Sequence, residues 1–282
     1  MNKVKIVTDS SVQITDAEVQ EYDITVVPLS IEIDGEQFID GENITREEFV
    51  QRMLTSKNLP KTSQPPLGKF VDAFKELGAD GSPILAIHMT KGLSGTVEAA
   101  RQAAKITVLN ITVIDSEYTD RALAFQVLEA AKMAQAGKEV ADIVTAIEQI
   151  KNQTHLYMAI PTLENILKGG RLGRVAASLS TFLKINIVIQ LKDSKVGILK
   201  KGRGIKTIEN YMDKVVQKIN EDGANIAEIG ISYVDDISIP QNLEQRIHER
   251  WPKMPILTRV TSPVITTHAG KGAFAIMYYY RS

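Results

Sequence analysis

The chain contains no cysteine. That single absence removes disulfides, thiolate metal sites and a cysteine nucleophile together. Histidine is scarce as well: His88, His155, His248 and His268 are the only four, and no H-E-x-x-H spacing joins any of them, so the usual metal-protease signal is missing. No uncharged apolar run reaches the roughly 18 residues that a membrane span needs. The opening residues MNKVKIVTDSS lack the apolar stretch of a signal peptide and read as a first strand. The expectation is a cytoplasmic protein without stable membrane insertion. The phosphate loop G-x-x-x-x-G-K-[ST] is absent too, since neither Gly68-Lys69 nor Gly137-Lys138 is followed by Ser or Thr.

What is present is ordinary in bulk. Of 282 residues, 44% are apolar and 24% charged, with a formal charge of −1. This suits one large soluble domain or two modest ones with real cores. The charge is uneven, however. Residues 168–206 hold ten basic residues and one acid, Asp193, for a local charge of +9 that leaves −10 on the remainder. This segment is expected to meet an anion, either a phosphate or an acidic partner surface. It shows neither a helix-turn-helix signal nor interleaved aromatics, so nucleic acid is not the expected partner.

Short β-branched runs alternate with helical patterns in the first half. Strands are expected at 4–8, 24–33, 84–89 and 111–115, with Pro28 marking an edge or a bend. Helices are expected from Thr45 (a capping box with Glu48) to Met53, over Pro66–Leu77, over Thr96–Lys105 and over Thr119–Ala136. This alternation argues a parallel, doubly wound α/β sheet. In the second half, strands at 186–192 and 196–201 flank a hairpin turn at Asp193-Ser194-Lys195, and further strands cover 228–234 and 273–280. Helices are expected over Pro161–Lys168, Ala176–Leu183, Ile205–Asn220 and Pro240–Arg250. Hairpins with interspersed helices argue an α+β layer with a largely antiparallel sheet. The expected organisation is an N-terminal α/β domain over 1–154 and a C-terminal α+β domain over 155–282.

The stretch Gly92-Leu93-Ser94-Gly95-Thr96 places a serine between glycines just before a helix. The nucleophile elbow G-x-S-x-G requires glycine where Thr96 stands. A serine hydrolase would need Ser94 with His268, and no orienting acid is identifiable. Gly202-Arg203-Gly204-Ile205-Lys206-Thr207 begins like a dinucleotide motif but ends in Thr and follows a hairpin region. Ser94 instead follows a strand at its carboxyl end, where open α/β sheets bind ligands. With the N–H groups of Gly95 and Thr96 it forms a small anion seat, a helix cap, or both. Three other hydroxyl-rich loops fall at that edge: Thr8-Asp9-Ser10-Ser11, Lys61-Thr62-Ser63-Gln64-Pro65-Pro66 and Asp115-Ser116. Four such loops together would make a cleft.

With these pieces in order, the chain resembles the DegV family of bacterial fatty-acid-binding proteins. The resemblance runs nearly end to end. It is carried by Thr8-Asp9-Ser10-Ser11, Val27-Pro28-Leu29 before Asp34-Gly35, Thr62-Ser63-Gln64-Pro65 and Leu93-Ser94-Gly95-Thr96. Ile114-Asp115-Ser116, Gly169-Gly170-Arg171-Leu172, Arg203-Gly204 and His268-Ala269-Gly270-Lys271-Gly272-Ala273 complete the set. Lys271 departs from the proline common in the family. The resemblance implies one long-chain fatty acid between two α/β domains, with the carboxylate held by Thr62-Ser63, by Ser94 beside Gly95 and Thr96, and by His268. It implies no cofactor or metal of the chain's own, and a separate ATP-dependent kinase that makes an acyl-phosphate for lipid synthesis. On that reading Ser94 is a hydrogen-bond donor, and Arg171 and Arg203 meet the kinase or its phosphate. Replacing Arg171 by Ala would then leave lipid binding nearly intact. His268, which taken alone would merely end a strand, would donate to the carboxylate and its pKa would rise. A lipid carrier or sensor without a kinase is the alternative.

Overall fold

The structure, a computed structural model, describes residues 3–172 and 185–281. The helix expected over Ala176–Leu183 lies outside the described residues. The first half runs β1 (Lys5–Asp9), α1 (Asp16–Tyr22), β2 (Ile24–Val27), β3 (Ser30–Ile33), β4 (Glu36–Ile39), α2 (Arg46–Thr55), β5 (Lys61–Ser63), α3 (Leu67–Leu77), β6 (Ile84–His88), α4 (Thr96–Thr107), β7 (Ile111–Asp115), α5 (Asp120–Gln135) and α6 (Val140–Gln153). Four of these strands form a wholly parallel sheet in the order β2-β1-β6-β7. Helices cover both of its faces. Phe70, Phe74, Ala100 and Ala103 of α3 and α4 pack on one side, and Leu123, Ala124 and Val127 of α5 on the other.

The expected strand 24–33 is two strands in two sheets. At Pro28-Leu29 the chain leaves β2 and enters β3, the middle strand of a small antiparallel sheet ordered β4-β3-β5. Proline removes a ladder donor there, so the bend costs no hydrogen bond. The expected capping box at Thr45 forms only in its forward half, where Thr45 Oγ1 accepts from the Glu48 N–H at 3.1 Å. Glu48 turns to Arg52 at 3.3 Å instead. The complete box lies at Thr15, which accepts from the Glu18 N–H at 3.1 Å while Glu18 accepts from the Thr15 N–H at 2.7 Å.

The second half runs β8 (Thr154–Ile160), α7 (Glu164–Lys168), β9 (Asn186–Lys192), β10 (Lys195–Gly202), α8 (Lys206–Asp222), β11 (Ile226–Tyr233), α9 (Ser238–Arg250), β12 (Ile256–Val260), α10 (Pro263–Ala269) and β13 (Phe274–Tyr280). Six strands form one sheet in the order β10-β9-β8-β13-β11-β12, antiparallel throughout except at β11–β12. The turn between β9 and β10 places Asp193 (φ 51°) and Ser194 (φ 58°) both in the left-handed region, the signature of a tight hairpin. The tip of that hairpin rests on the loop after β6. A Cβ on Gly92 would overlap the Ser194 carbonyl, so only glycine permits this approach.

β1 and β6 are neighbours whose onward connections leave in opposite directions, β1 to β2 and β6 to β7. The loops after these two strands therefore lie at a topological switch point, the ligand crevice of such sheets. The loop after β1 braces that crevice from inside. Asp9 is fully buried and accepts from Ser11 Oγ (2.6 Å) and the N–H groups of Ser11 (3.1 Å) and Met89 (2.8 Å). Its other contact is His88 Nδ1 at 3.1 Å. Ser10 Oγ donates to Asp40 (2.9 Å) and accepts from the Leu29 N–H (3.0 Å). The cleft of four hydroxyl loops is thus reduced. The Asp9 loop is internal, and Ser116 is occupied by the Tyr118 backbone.

Candidate functional site

Behind the loop after β6 an apolar cavity runs between the two sheets. Its unfilled space, open mouth included, is ≈ 760 Å³. Its walls come from both halves, with Leu29, Met89 and Leu93 facing Met158, Ile189 and Val196. Polar groups gather at the mouth. Thr62, Ser94, Arg171 and His268 all line the cavity, and Thr62, Arg171 and His268 also line an outer groove. These three side chains therefore divide an apolar interior from the outside. The outer groove is basic, bordered by Lys57, Lys61, Lys168 and Lys271 in addition to Arg171.

Each mouth residue is placed by local rules. Ser94 follows a turn closed by Leu93 and Ser94 N–H bonds to the Thr90 carbonyl, at 3.1 and 3.2 Å. Its Oγ contacts Thr96 Oγ1 at 2.8 Å and accepts from the Thr96 N–H at 3.3 Å. Ser94 thus both tethers the start of α4 and lines the cavity. Thr62 and Ser63 occupy β5, where alternate side chains take opposite faces. Thr62 turns inward and Ser63 is exposed and lines no cavity wall. The next inward position is Gln64, which does line it. Gly95 and Thr96 lie behind Ser94 and do not line it either; Thr96 is fully buried.

His268 belongs to a helix and does not end a strand. α10 opens with Ser262, whose Oγ accepts from the Ile265 N–H at 3.4 Å, and with Pro263 at its first position. His268 Nε2 lies 2.9 Å from Thr62 Oγ1. Its Nδ1 is buried against Gly169 with no partner among the described residues. In the tautomer with its proton on Nε2, the ring donates to Thr62 and leaves the Thr62 hydroxyl hydrogen free to point at a ligand. Burial, aided by the Arg171 charge, pulls the His268 pKa down to about 4. This is opposite to the rise expected from a carboxylate neighbour: the nearest charge the chain itself supplies is a cation. At neutral pH the ring is neutral, and Arg171 is the only cation among the described lining residues.

Arg171, expected to meet a kinase or its phosphate, stands at the boundary between cavity and outer groove. It is half-buried, and its Nη1 donates to the Gly169 carbonyl at 2.5 Å. Arg203 is not part of the assembly; it is exposed and lines neither space. A Ser94–His268 pair is absent among the described residues, because His268 is bonded to Thr62 and Ser94 to Thr96. No group of three potential metal ligands occurs among the described residues. No described helix is long and apolar enough to cross a membrane.

The close seat of His268 on Gly169 makes a prediction. A Cβ at Gly169 would overlap Nδ1 of the ring. Gly169→Ala is expected to destabilise the protein by about 1–3 kcal/mol in urea denaturation, the usual cost of overpacking. In a His268→Ala background part of that cost should vanish, the rest coming from the Asn165 carbonyl, 2.9 Å from the same Cβ. An equal cost in both backgrounds would mean that the ring does not set the requirement for glycine.

Fold and cavity together define a three-sheet α/β protein with an apolar pocket whose mouth is ringed by hydrogen-bonding groups. A family model described as "Uncharacterised protein, DegV family" matches residues 3–281. A Streptococcus pneumoniae relative, "DegV domain-containing protein spr1019", is 46% identical over 100% of both chains. A Listeria innocua relative, "DegV domain-containing protein lin1977", is 41% identical over 99% of each. The chain belongs to the DegV family. Among solved structures, a Bacillus subtilis protein described as "DegV, a fatty acid binding protein" superposes with a TM-score of 0.92 over 100% of both chains, at 23% identity. A Thermus thermophilus DegV family protein, described for its fatty acid binding, gives 0.87 at 26% identity, covering 99% of this chain and 100% of that one.

Proposed function

We propose that this chain binds one long-chain fatty acid in the cavity, tail inward, with its carboxylate at the mouth formed by Thr62, Ser94, Arg171 and His268. The observation that carries this reading is the gathering of hydrogen-bonding groups and one cation at the mouth of a mostly apolar pocket. A buried carboxylate needs compensating donors, because isolating its charge from water costs several kcal/mol. Ser94 and Thr62 supply hydroxyl donors, His268 orients Thr62, and Arg171 supplies the opposite charge. The Thermus thermophilus relative, described as binding fatty acid, supports the ligand class.

On this reading residues 1–154 and 155–282 act as two domains that close on the acyl chain. The carboxylate then faces the basic groove, where a separate ATP-dependent kinase would convert it to an acyl-phosphate for phospholipid synthesis. The chain is the lipid-holding subunit and supplies no catalytic group. Lipid-loaded protein, ATP and the kinase should yield acyl-phosphate, trapped as a hydroxamate. Ser94→Ala should lower that yield at limiting lipid by roughly tenfold, the value of one hydrogen bond to a charged group. A loaded protein that stimulates no kinase would leave a carrier or sensor in its place. Ester hydrolysis abolished by Ser94→Ala would favour a hydrolase.

A further inference from the structure

A second, smaller void lies directly behind one wall of the apolar cavity. Its unfilled space is ≈ 180 Å³. Met158, Ile265 and Ala269 line both spaces, so the partition between them is one side chain thick. Beyond it stand Val234, Ala273 and Ala275, buried residues that line the second space and not the first. Ala275 is the register partner of Met158 on the neighbouring strand β13, and its single methyl leaves room beside the methionine. The polar side of the void is satisfied from within, since Ser232 Oγ and Thr261 Oγ1 donate to Asp120 at 2.5 and 2.6 Å. Met158 is the movable part of the partition. It stands on β8 between β9 and β13, inside the fold, yet is incompletely buried because part of its surface faces the cavity. It packs against three separate hydrophobic clusters at once. Methionine is unbranched, with three rotatable bonds, and adapts to irregular gaps, whereas Ile265 is stiffened by its β-branch.

We propose that Met158 swings aside for a long acyl tail and that the last methylenes pass it into the second void, so that Met158 and Ala275 set the upper length of chain the site accepts. The proposal rests on the fatty-acid reading above and adds the length specificity of that site. Protein interiors leave few voids larger than a water molecule, and one that adjoins a ligand cavity across a flexible side chain is room that a chain end can take. Each methylene that enters leaves water, a gain of about fourfold in affinity.

The test is a crystal structure of the wild-type protein with 18-bromooctadecanoic acid, the bromine located by its anomalous scattering. The bromine is expected beside Ala273 and Ala275, with the Met158 side chain displaced. Bromine at the Leu156 and Leu191 end of the first cavity, in front of an unmoved Met158, overturns the proposal. In solution, Ala275→Val adds volume to the second void alone. It should weaken the binding of eicosanoic acid about tenfold and leave that of dodecanoic acid unchanged. An equal change at both lengths, or no change at either, overturns the proposal while leaving the fatty-acid reading intact. If no acid of any length binds, the fatty-acid reading fails and this inference fails with it. The crystallographic measurement needs no variant, so an Ala275→Val chain that fails to fold leaves the question decidable.

Discussion

Replacing Arg171 by Met is expected to weaken fatty-acid binding on the order of fiftyfold. Met keeps most of the aliphatic volume and removes the only cation that the described lining residues present to the cavity. A charge-assisted contact to a partly desolvated carboxylate is worth about 2–3 kcal/mol, and each 1.4 kcal/mol is about tenfold in affinity. Titration with a fluorescent fatty acid measures the change directly. A second readout separates loss of charge from loss of shape. Arg171 is one of the two causes that depress the His268 pKa, so in Arg171→Met that pKa should move upward, as followed by the ring protons in NMR. Unchanged lipid affinity with lost kinase turnover would return Arg171 to the docking role that its glycine-rich basic turn first suggested.

The largest stability effect is expected at Arg121. Its side chain is 5% exposed and binds Glu18 through both carboxylate oxygens, at 2.7 and 2.9 Å. It also donates to Glu228 at 2.7 Å and to the Gln13 carbonyl at 3.0 Å. This one guanidinium ties the start of α5 to α1 and to β11 of the other sheet. Arg121→Met leaves two partly buried carboxylates without their counter-charge, a change that costs about 3–5 kcal/mol. Urea denaturation at neutral pH measures it. The pH dependence should change as well. Burial pulls the Glu18 carboxyl upward, but the hydrogen bonds and charge of Arg121 outweigh it and hold the pKa below its ordinary 4.5. A folded value below the unfolded one contributes stability above the unfolded pKa, and that contribution is lost as pH falls through the folded pKa. In Arg121→Met burial of Glu18 is opposed only by its hydrogen bonds to Thr15, so this part of the acid limb should flatten. A variant within 1 kcal/mol of wild type, with the same acid limb, would contradict the account.

Much of the architecture was legible because its signals are local. β-branched runs alternating with amphipathic helices announced the parallel sheet, and Asp193-Ser194 announced the β9–β10 hairpin. Ser94 was placed correctly at a strand's carboxyl end because that follows from strand-then-helix order alone. The failures are equally local in cause. The segment 263–269 is rich in Val, Ile and Thr, so its β propensity hid a helix; the available signal was Ser262-Pro263, a cap followed by proline at the first turn. β5 has three residues, too few for alternation to separate Ser63 from Thr62 or to single out Gln64. Arg171 and Arg203 have similar glycine-rich, basic surroundings in sequence, and only tertiary packing turns one into the cavity mouth and leaves the other in solvent.

The most direct test of the central claim is native mass spectrometry of the purified wild-type protein, followed by lipid extraction. The account predicts a complex heavier than the polypeptide by the mass of one fatty acid, or stoichiometric uptake of one added fatty acid. A protein that carries no fatty acid and takes up none when it is supplied would contradict it.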